Sequence, residues 1–270
     1  MDGAKTIGEM MSLDGRVALV TGGAGHIGRR CAAALAELGA RVALADLDGN
    51  GCQDAASAIH GEFGNETLAL AADLADEAAV RDLPGAVAEG LGGLDIVVTC
   101  AAFVGTSRLK GWAVPFEGQS TETWRAALEV NLTSVFALVQ AAAPALRKSG
   151  HGSVITLGSI YGQVGPDWGL YAGTGMGNPA AYAAGKGGLL QLTRWLATTL
   201  APRVRVNMVS PGGIARGQDR AFVRRYLERT PLGRMGREDD VAGAVAYLAG
   251  GLAGYVTGQN IVVDGGWTAW

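Results

Sequence analysis

Three cysteines in 270 residues, Cys31, Cys52 and Cys100, are too few, too scattered and odd in number to staple a fold. No CxxC spacing joins any two of them, so neither a disulfide framework nor a zinc site is expected, and the thiols read as reduced core or surface groups. An excess of charge is missing too. The formal net charge is −3, which gives no global attraction to nucleic acid or to an anionic membrane. Charged residues amount to 17% and hydrophobic ones to 49%, the opposite of a disordered composition. No apolar run reaches the ~18 to 20 residues of a membrane span. Asp2, Lys5 and Glu9 interrupt the first dozen residues, so no signal peptide is legible. A cytoplasmic protein acting on a small molecule, without nucleic-acid or membrane partners, is the expectation. No Pro/Ser-rich linker and no internal repeat divides the chain, which predicts a loose leader over 1–12 and one domain over 13–270.

Glycine and alanine are abundant instead, with 43 glycines, a composition suited to close packing of helices on a sheet. Short apolar runs at 16–21, 41–45, 67–71, 95–99, 153–157, 204–208 and 260–263 read as strands. Helical patterns lie between them, notably at about 27–38, 123–148, 180–201 and 238–249. The strands are nearly continuous in apolar residues, as in a parallel sheet covered on both faces. Repeated βαβ units predict an α/β fold: a single-domain, doubly wound parallel sheet of the Rossmann type.

The first strand runs into Thr21-Gly22-Gly23-Ala24-Gly25-His26-Ile27-Gly28. Gly23, Gly25 and Gly28 keep the GxGxxG register between a strand and a helix, where the backbone can approach a pyrophosphate. The helix start then offers free N–H groups and a positive dipole end to phosphate. Asp46 follows Gly28 by 18 residues at the end of the second strand. A carboxylate there accepts hydrogen bonds from ribose hydroxyls and repels a 2′-phosphate. Leu47-Asp48-Gly49 bring no base to receive that phosphate, so NAD is the expected cofactor and no metal is called for.

Tyr182 and Lys186 stand four residues apart near the start of a long apolar helix, on one face. An ammonium beside a phenol favours the phenolate and brings its pKa toward the working range. Ser159 ends the strand at 153–157, on the side where a doubly wound sheet opens its crevice. A packed tyrosine with a solvated lysine is the bland alternative for the pair.

With these motifs assembled, the chain resembles the short-chain dehydrogenase/reductase family from about Gly15 to Gly266. The resemblance rests on the glycine-rich turn with Asp46, Ala72-Asp73-Leu74, Val130-Asn131-Leu132, Ser159, and the Tyr182/Lys186 pair. It continues through 207–214, Thr257-Gly258-Gln259 and Val263-Asp264-Gly265-Gly266. It implies a catalytic tetrad of Asn131, Ser159, Tyr182 and Lys186. Ser159 would bond the substrate oxygen, Tyr182 exchange its proton, Lys186 hold the nicotinamide ribose, and Asn131 hold a proton-relaying water. It also implies cofactor contacts at Gly22, Gly23, Gly25, His26, Ile27, Gly28, Asp46, Asp73, Leu74, Ala101, Tyr182, Lys186, Pro211, Gly212 and Ile214. Relatives of this kind form homotetramers through two long helices and the last strand, and a homotetramer or homodimer is expected. Asp73 as a helix cap and Asn131 as a buried amide bonding backbone remain open alternatives.

Several positions depart from the family pattern. His26 stands where relatives have glycine, either beside the pyrophosphate or facing solvent. Thr99-Cys100-Ala101-Ala102 replaces the usual Asn-Asn-Ala-Gly. Ser159 and Tyr182 are 23 residues apart, longer than usual, and the extra segment 166–179 loosely resembles enzymes of bacterial sugar and flagellin-glycan biosynthesis. Tyr161, Trp168 and Tyr171 are candidate flat faces for a sugar ring. Arg216, first of six arginines between Pro211 and Gly236, is the candidate clamp for an anionic group. The expected function is NAD-dependent interconversion of a secondary alcohol and a ketone on a sugar-like substrate. A 3-oxoacyl or lipid reductase, expected to prefer NADPH against Asp46, and a catalytically quiet NAD-binding module are the alternatives.

Overall fold

Seven of the apolar runs are strands: β1 (Val17–Thr21), β2 (Arg41–Asp46), β3 (Thr67–Ala71), β4 (Ile96–Thr99), β5 (Gly152–Leu157), β6 (Val204–Pro211) and β7 (Asn260–Val263). The computed structural model describes residues 4–103 and 109–270. All pairings are parallel, in the order β3-β2-β1-β4-β5-β6-β7. The chain reverses its direction of growth between β1 and β4, and ligands of such sheets bind outside the strand ends at that point. The helices are α1 (Ile7–Met11), α2 (His26–Glu37), α3 (Gly49–Phe63), α4 (Glu77–Leu91), α5 (Thr121–Leu128), α6 (Ser134–Ser149), α7 (Trp168–Tyr171), α8 (Ala180–Leu200), α9 (Arg220–Glu228) and α10 (Glu238–Ala249).

Successive strand residues point to opposite faces. Ala18 and Val20 of β1 join Cys31 and Leu35 of α2, Cys52 and Ile59 of α3, and Val241 and Val245 of α10 in one core layer. Val17 and Leu19 join Val80 and Val87 of α4, Val139 of α6 and Leu196 of α8 in the other. This two-sided burial is why the strands lack a polar face, and the doubly wound α/β reading stands.

The structure adds detail to three expectations. The loose leader is in part a helix: the Thr6 hydroxyl accepts the Glu9 N–H at 3.2 Å while the Glu9 carboxylate accepts the Thr6 N–H at 2.6 Å, a reciprocal cap that starts α1. Residues 1–3 lie outside the described residues. The helix expected at 123–148 runs unbroken over Thr121–Ser149, with an unforeseen π turn at Glu129–Thr133 between α5 and α6. Such turns insert a residue into the helix and concentrate at functional sites. Finally, Thr121–Ser149 contains an 18-residue window whose mean hydropathy, 1.4, reaches that of a membrane span. Half of it is buried inside the fold, where Val135, Leu138, Val139, Ala142 and Leu146 of α6 pack into the core.

Candidate functional site

At the carboxyl ends of the strands opens a cavity of about 760 Å³. On one side it is lined by the β1–α2 turn, Asp46, and Asp73 with Leu74. Pro211, the last residue of β6, and Gly212 and Ile214 after it line it too. Gly22 adopts φ +70°, and a Cβ there would lie 2.6 Å from the Ala101 nitrogen. At Gly28 an added Cβ would come within 2.0 Å of the Gly22 carbonyl oxygen, so helix and turn touch only because both are glycine. Gly23 does not line the cavity. It backs onto Leu44, whose side chain leaves no room for a Cβ, and its N–H donates to the Ala45 carbonyl at 3.1 Å.

α2 begins at Gly25 with no side-chain cap, which leaves its first N–H groups free for an anion. His26, exposed, lines the cavity beside them. Asp46 accepts the Ala24 N–H at 3.2 Å through Oδ2 and the Asp48 N–H at 3.2 Å through Oδ1, which holds the carboxylate at the edge of the glycine turn. An uncapped helix start, a glycine-lined wall and a fixed carboxylate fit the phosphates and adenosine ribose of a dinucleotide. Asp73 lines the cavity and accepts the Ala75 N–H at 2.9 Å in the turn before α4, whose cap is Asp76 rather than Asp73.

Deeper in the same cavity stand Ser159, Tyr182 and Lys186. β5 delivers Ser159 at its end, and α8 delivers the other two from its first two turns. Gln119 holds the start of α8 by accepting the Ala180 N–H at 3.0 Å. The Lys186 Nζ donates to the Leu157 carbonyl at 2.6 Å and lies 5.9 Å from the centre of the Tyr182 ring. Burial brings the Lys186 pKa down to about 8. Burial also pushes the Tyr182 phenol up, against a hydrogen bond from Ser159 that lowers it. The expected lowering by Lys186 is therefore corrected for this state: burial dominates the Tyr182 shift, and the group that lowers it is Ser159, not Lys186.

Asn131 is also placed differently from expectation. It is 1% exposed, does not line the cavity, and grips the backbone of Phe103. Its Oδ1 accepts the Phe103 N–H at 2.7 Å and its Nδ2 donates to the Phe103 carbonyl at 3.3 Å. The backbone-bonding alternative is the one realised, since the π turn aims the amide at the loop after β4.

Tyr161, Trp168 and Tyr171 are not among the cavity residues either. The two phenols bond each other at 2.7 Å, Trp168 is 59% exposed, and Tyr171 packs on Phe222 at 5.4 Å between ring centres. Arg225 donates to the Leu170 and Ala172 carbonyls at 3.2 and 2.5 Å, and Arg229 pairs with Asp167. These contacts fasten the extra segment to α9, with Tyr171 packed and Trp168 exposed. Arg234 is held by Asp240 through two bonds of 2.7 Å. Arg216 does line the cavity, but its Nε lies 3.6 Å from the Glu238 carboxylate, so an anion there would compete with an existing partner.

The motifs did not point to Phe103, which lines the cavity two residues past Ala101. Its signal was a lone aromatic just after a strand end. Together the cavity presents two hydroxyls, those of Ser159 and Tyr182, with the buried Lys186 ammonium nearby. This arrangement is able to exchange a proton with an alcohol or carbonyl oxygen.

A family model described as enoyl-(acyl carrier protein) reductase matches residues 22–268. The chain is 34% identical over 261 residues to the 3-oxoacyl-[acyl-carrier-protein] reductase of Escherichia coli (strain K12), covering 95% of this chain and 98% of that protein. It is also 34% identical over 264 residues to the D-threitol dehydrogenase of Mycolicibacterium smegmatis, covering 95% and 94%. Among solved structures, a short-chain type dehydrogenase/reductase from Mycobacterium marinum matches with a TM-score of 0.86 at 33% identity, over 98% of this chain and all of that one.

Proposed function

Because the chain belongs to the short-chain dehydrogenase/reductase family, we propose that it is an NAD-dependent enzyme interconverting a secondary alcohol and a ketone on a polar, sugar-like substrate. One observation carries the reading: Ser159, Tyr182 and Lys186 line the cavity that also contains the glycine turn and Asp46. A bound nicotinamide supplies the hydride acceptor or donor. Tyr182 exchanges the proton of the substrate oxygen, and Ser159 donates a hydrogen bond to that oxygen. Lys186, anchored on Leu157, holds the cofactor ribose, and its charge favours the phenolate when Tyr182 gives up its proton. Asn131 acts at one remove, by fixing the loop that carries Phe103.

Asp46 supports NAD over NADP, since its carboxylate is fixed where a 2′-phosphate would meet like charge. The likeness to D-threitol dehydrogenase supports a polyhydroxylated substrate. The likeness to a 3-oxoacyl-[acyl-carrier-protein] reductase supports a second reading, reduction of a 3-oxoacyl thioester. Steady-state rates on polyols, sugars, sugar phosphates and a 3-oxoacyl thioester, each with both cofactors, separate the two. The expected result is alcohol oxidation with kcat/KM favouring NAD, and Asp46→Ala narrowing that preference by about tenfold or more as like-charge repulsion is removed. Equal efficiency with NADP in the wild type would overturn the cofactor assignment.

A further inference from the structure

We propose that Phe103, backed by Trp112, forms a ring-recognition subsite beside Tyr182, so that the preferred substrate is a cyclic secondary alcohol rather than an open-chain polyol. The inference rests on the oxidoreductase reading above and narrows its substrate class.

Phe103 lines the same cavity as Ser159 and Tyr182. Its backbone is fixed at both polar atoms by the Asn131 amide, itself buried in the π turn. Its ring meets Trp112 edge to face, with centres 5.1 Å apart and planes at 78°. Trp112 is 3% exposed and packs with Ala127 and Ala181; Phe103 and Tyr182 lean on the same small cluster. Trp112 therefore supports one flank of the Phe103 ring, while Phe103 stays partly exposed where the cavity opens. Position and tilt are both set before any substrate arrives.

A fixed apolar ring next to the proton-exchanging phenol selects by shape and hydration. A saturated ring offers a C–H face to the aromatic while its hydroxyls project from the edge, where Ser159 and Tyr182 stand. Burying that face gains hydrophobic free energy without stranding a hydroxyl. An open polyol has no such face, and pressing its chain against Phe103 would desolvate hydroxyls that find no partner there. It must also give up internal rotations that a ring has already lost. Tyr161, Trp168 and Tyr171 do not line the cavity, and the two phenols bond each other.

The test compares two vicinal diols with secondary hydroxyls, a cyclohexanediol and the open-chain butanediol, in wild type, Phe103→Ala and Phe103→Tyr, with NAD and with NADP. Thermal melting accompanies each variant. Wild type is expected to favour the ring diol by about tenfold or more in kcat/KM, on the scale of apolar pocket discrimination. Phe103→Ala should bring the ratio to within about threefold by raising KM for the ring diol, and Phe103→Tyr, which keeps the ring, should retain the preference. Similar efficiency on both diols in wild type, or equal losses on both in Phe103→Ala, would overturn the subsite and leave the oxidoreductase reading standing. Oxidation of neither diol, together with no reduction of the matching ketones, would overturn both. If Phe103→Ala does not fold, the wild-type ratio decides.

Discussion

Lys186 is held by the Leu157 carbonyl inside the fold, and its pKa falls to about 8 from an ordinary 10.5. The unfolded chain therefore binds more protons than the native one in the window between those values, so the contribution of this residue to stability rises with pH there. Urea titration of cofactor-free wild type and Lys186→Met should show the stability difference shifting in favour of wild type by about 2 kcal/mol from about pH 8 to about pH 10. A difference that stays flat would mean that the lysine is not desolvated. The residues singled out in the sequence that line the cavity together, Ser159, Tyr182, Lys186 and Asp46, are those whose proposed chemistry needs a particular group at a particular spacing. Phe103 escaped notice because an aromatic wall has no motif. Tyr161, Trp168 and Tyr171 fall outside the cavity lining for a related reason: composition cannot tell an aromatic that lines a cavity from one that sits beside it.

Helix and strand positions followed from apolar periodicity, and Glu238–Ala249 was expected at the bounds it has. The π turn was hidden because a one-residue insertion hardly disturbs an apolar pattern, yet it is what turns Asn131 toward Phe103. The extra segment at 166–179 is likewise explained only by long-range contacts. Two of the arginines between Pro211 and Gly236 are spent on it: Arg225 on two carbonyls and Arg229 on Asp167. Arg225→Ala should leave Leu170 and Ala172 without that donor. Hydrogen exchange within 166–179 should then accelerate by roughly tenfold or more, the scale of a lost charged hydrogen bond, while the sheet keeps its protection. Unchanged exchange in that segment would show that aromatic packing alone holds it.

For the whole molecule, the alternation of strands and helices made the doubly wound sheet legible, whereas the cavity depended on which strand ends meet. The sheet brings the turn after β1 and the residues following β4, β5 and β6 to one edge, although they are spread over most of the chain. Outside the core, Trp124 of α5, Phe136 of α6 and Trp195 of α8 remain 37%, 40% and 53% exposed. Large apolar groups left open on helices call for a cover, and a second copy of the chain is the expected one. Light scattering at micromolar concentration should report a multiple of 27.5 kDa, and a species of that mass alone would contradict the expectation.

Tyr182 is the residue on which the proposed chemistry turns, and Tyr182→Phe keeps its ring in place while removing the hydroxyl. Turnover of an alcohol that the wild type oxidises, measured beside NAD binding on the same preparations, tests it most directly. The variant should lose about 10² to 10⁴ in rate with NAD affinity nearly intact. Turnover within about threefold of wild type, well inside the range expected for loss of a proton-transfer group, would contradict the assignment.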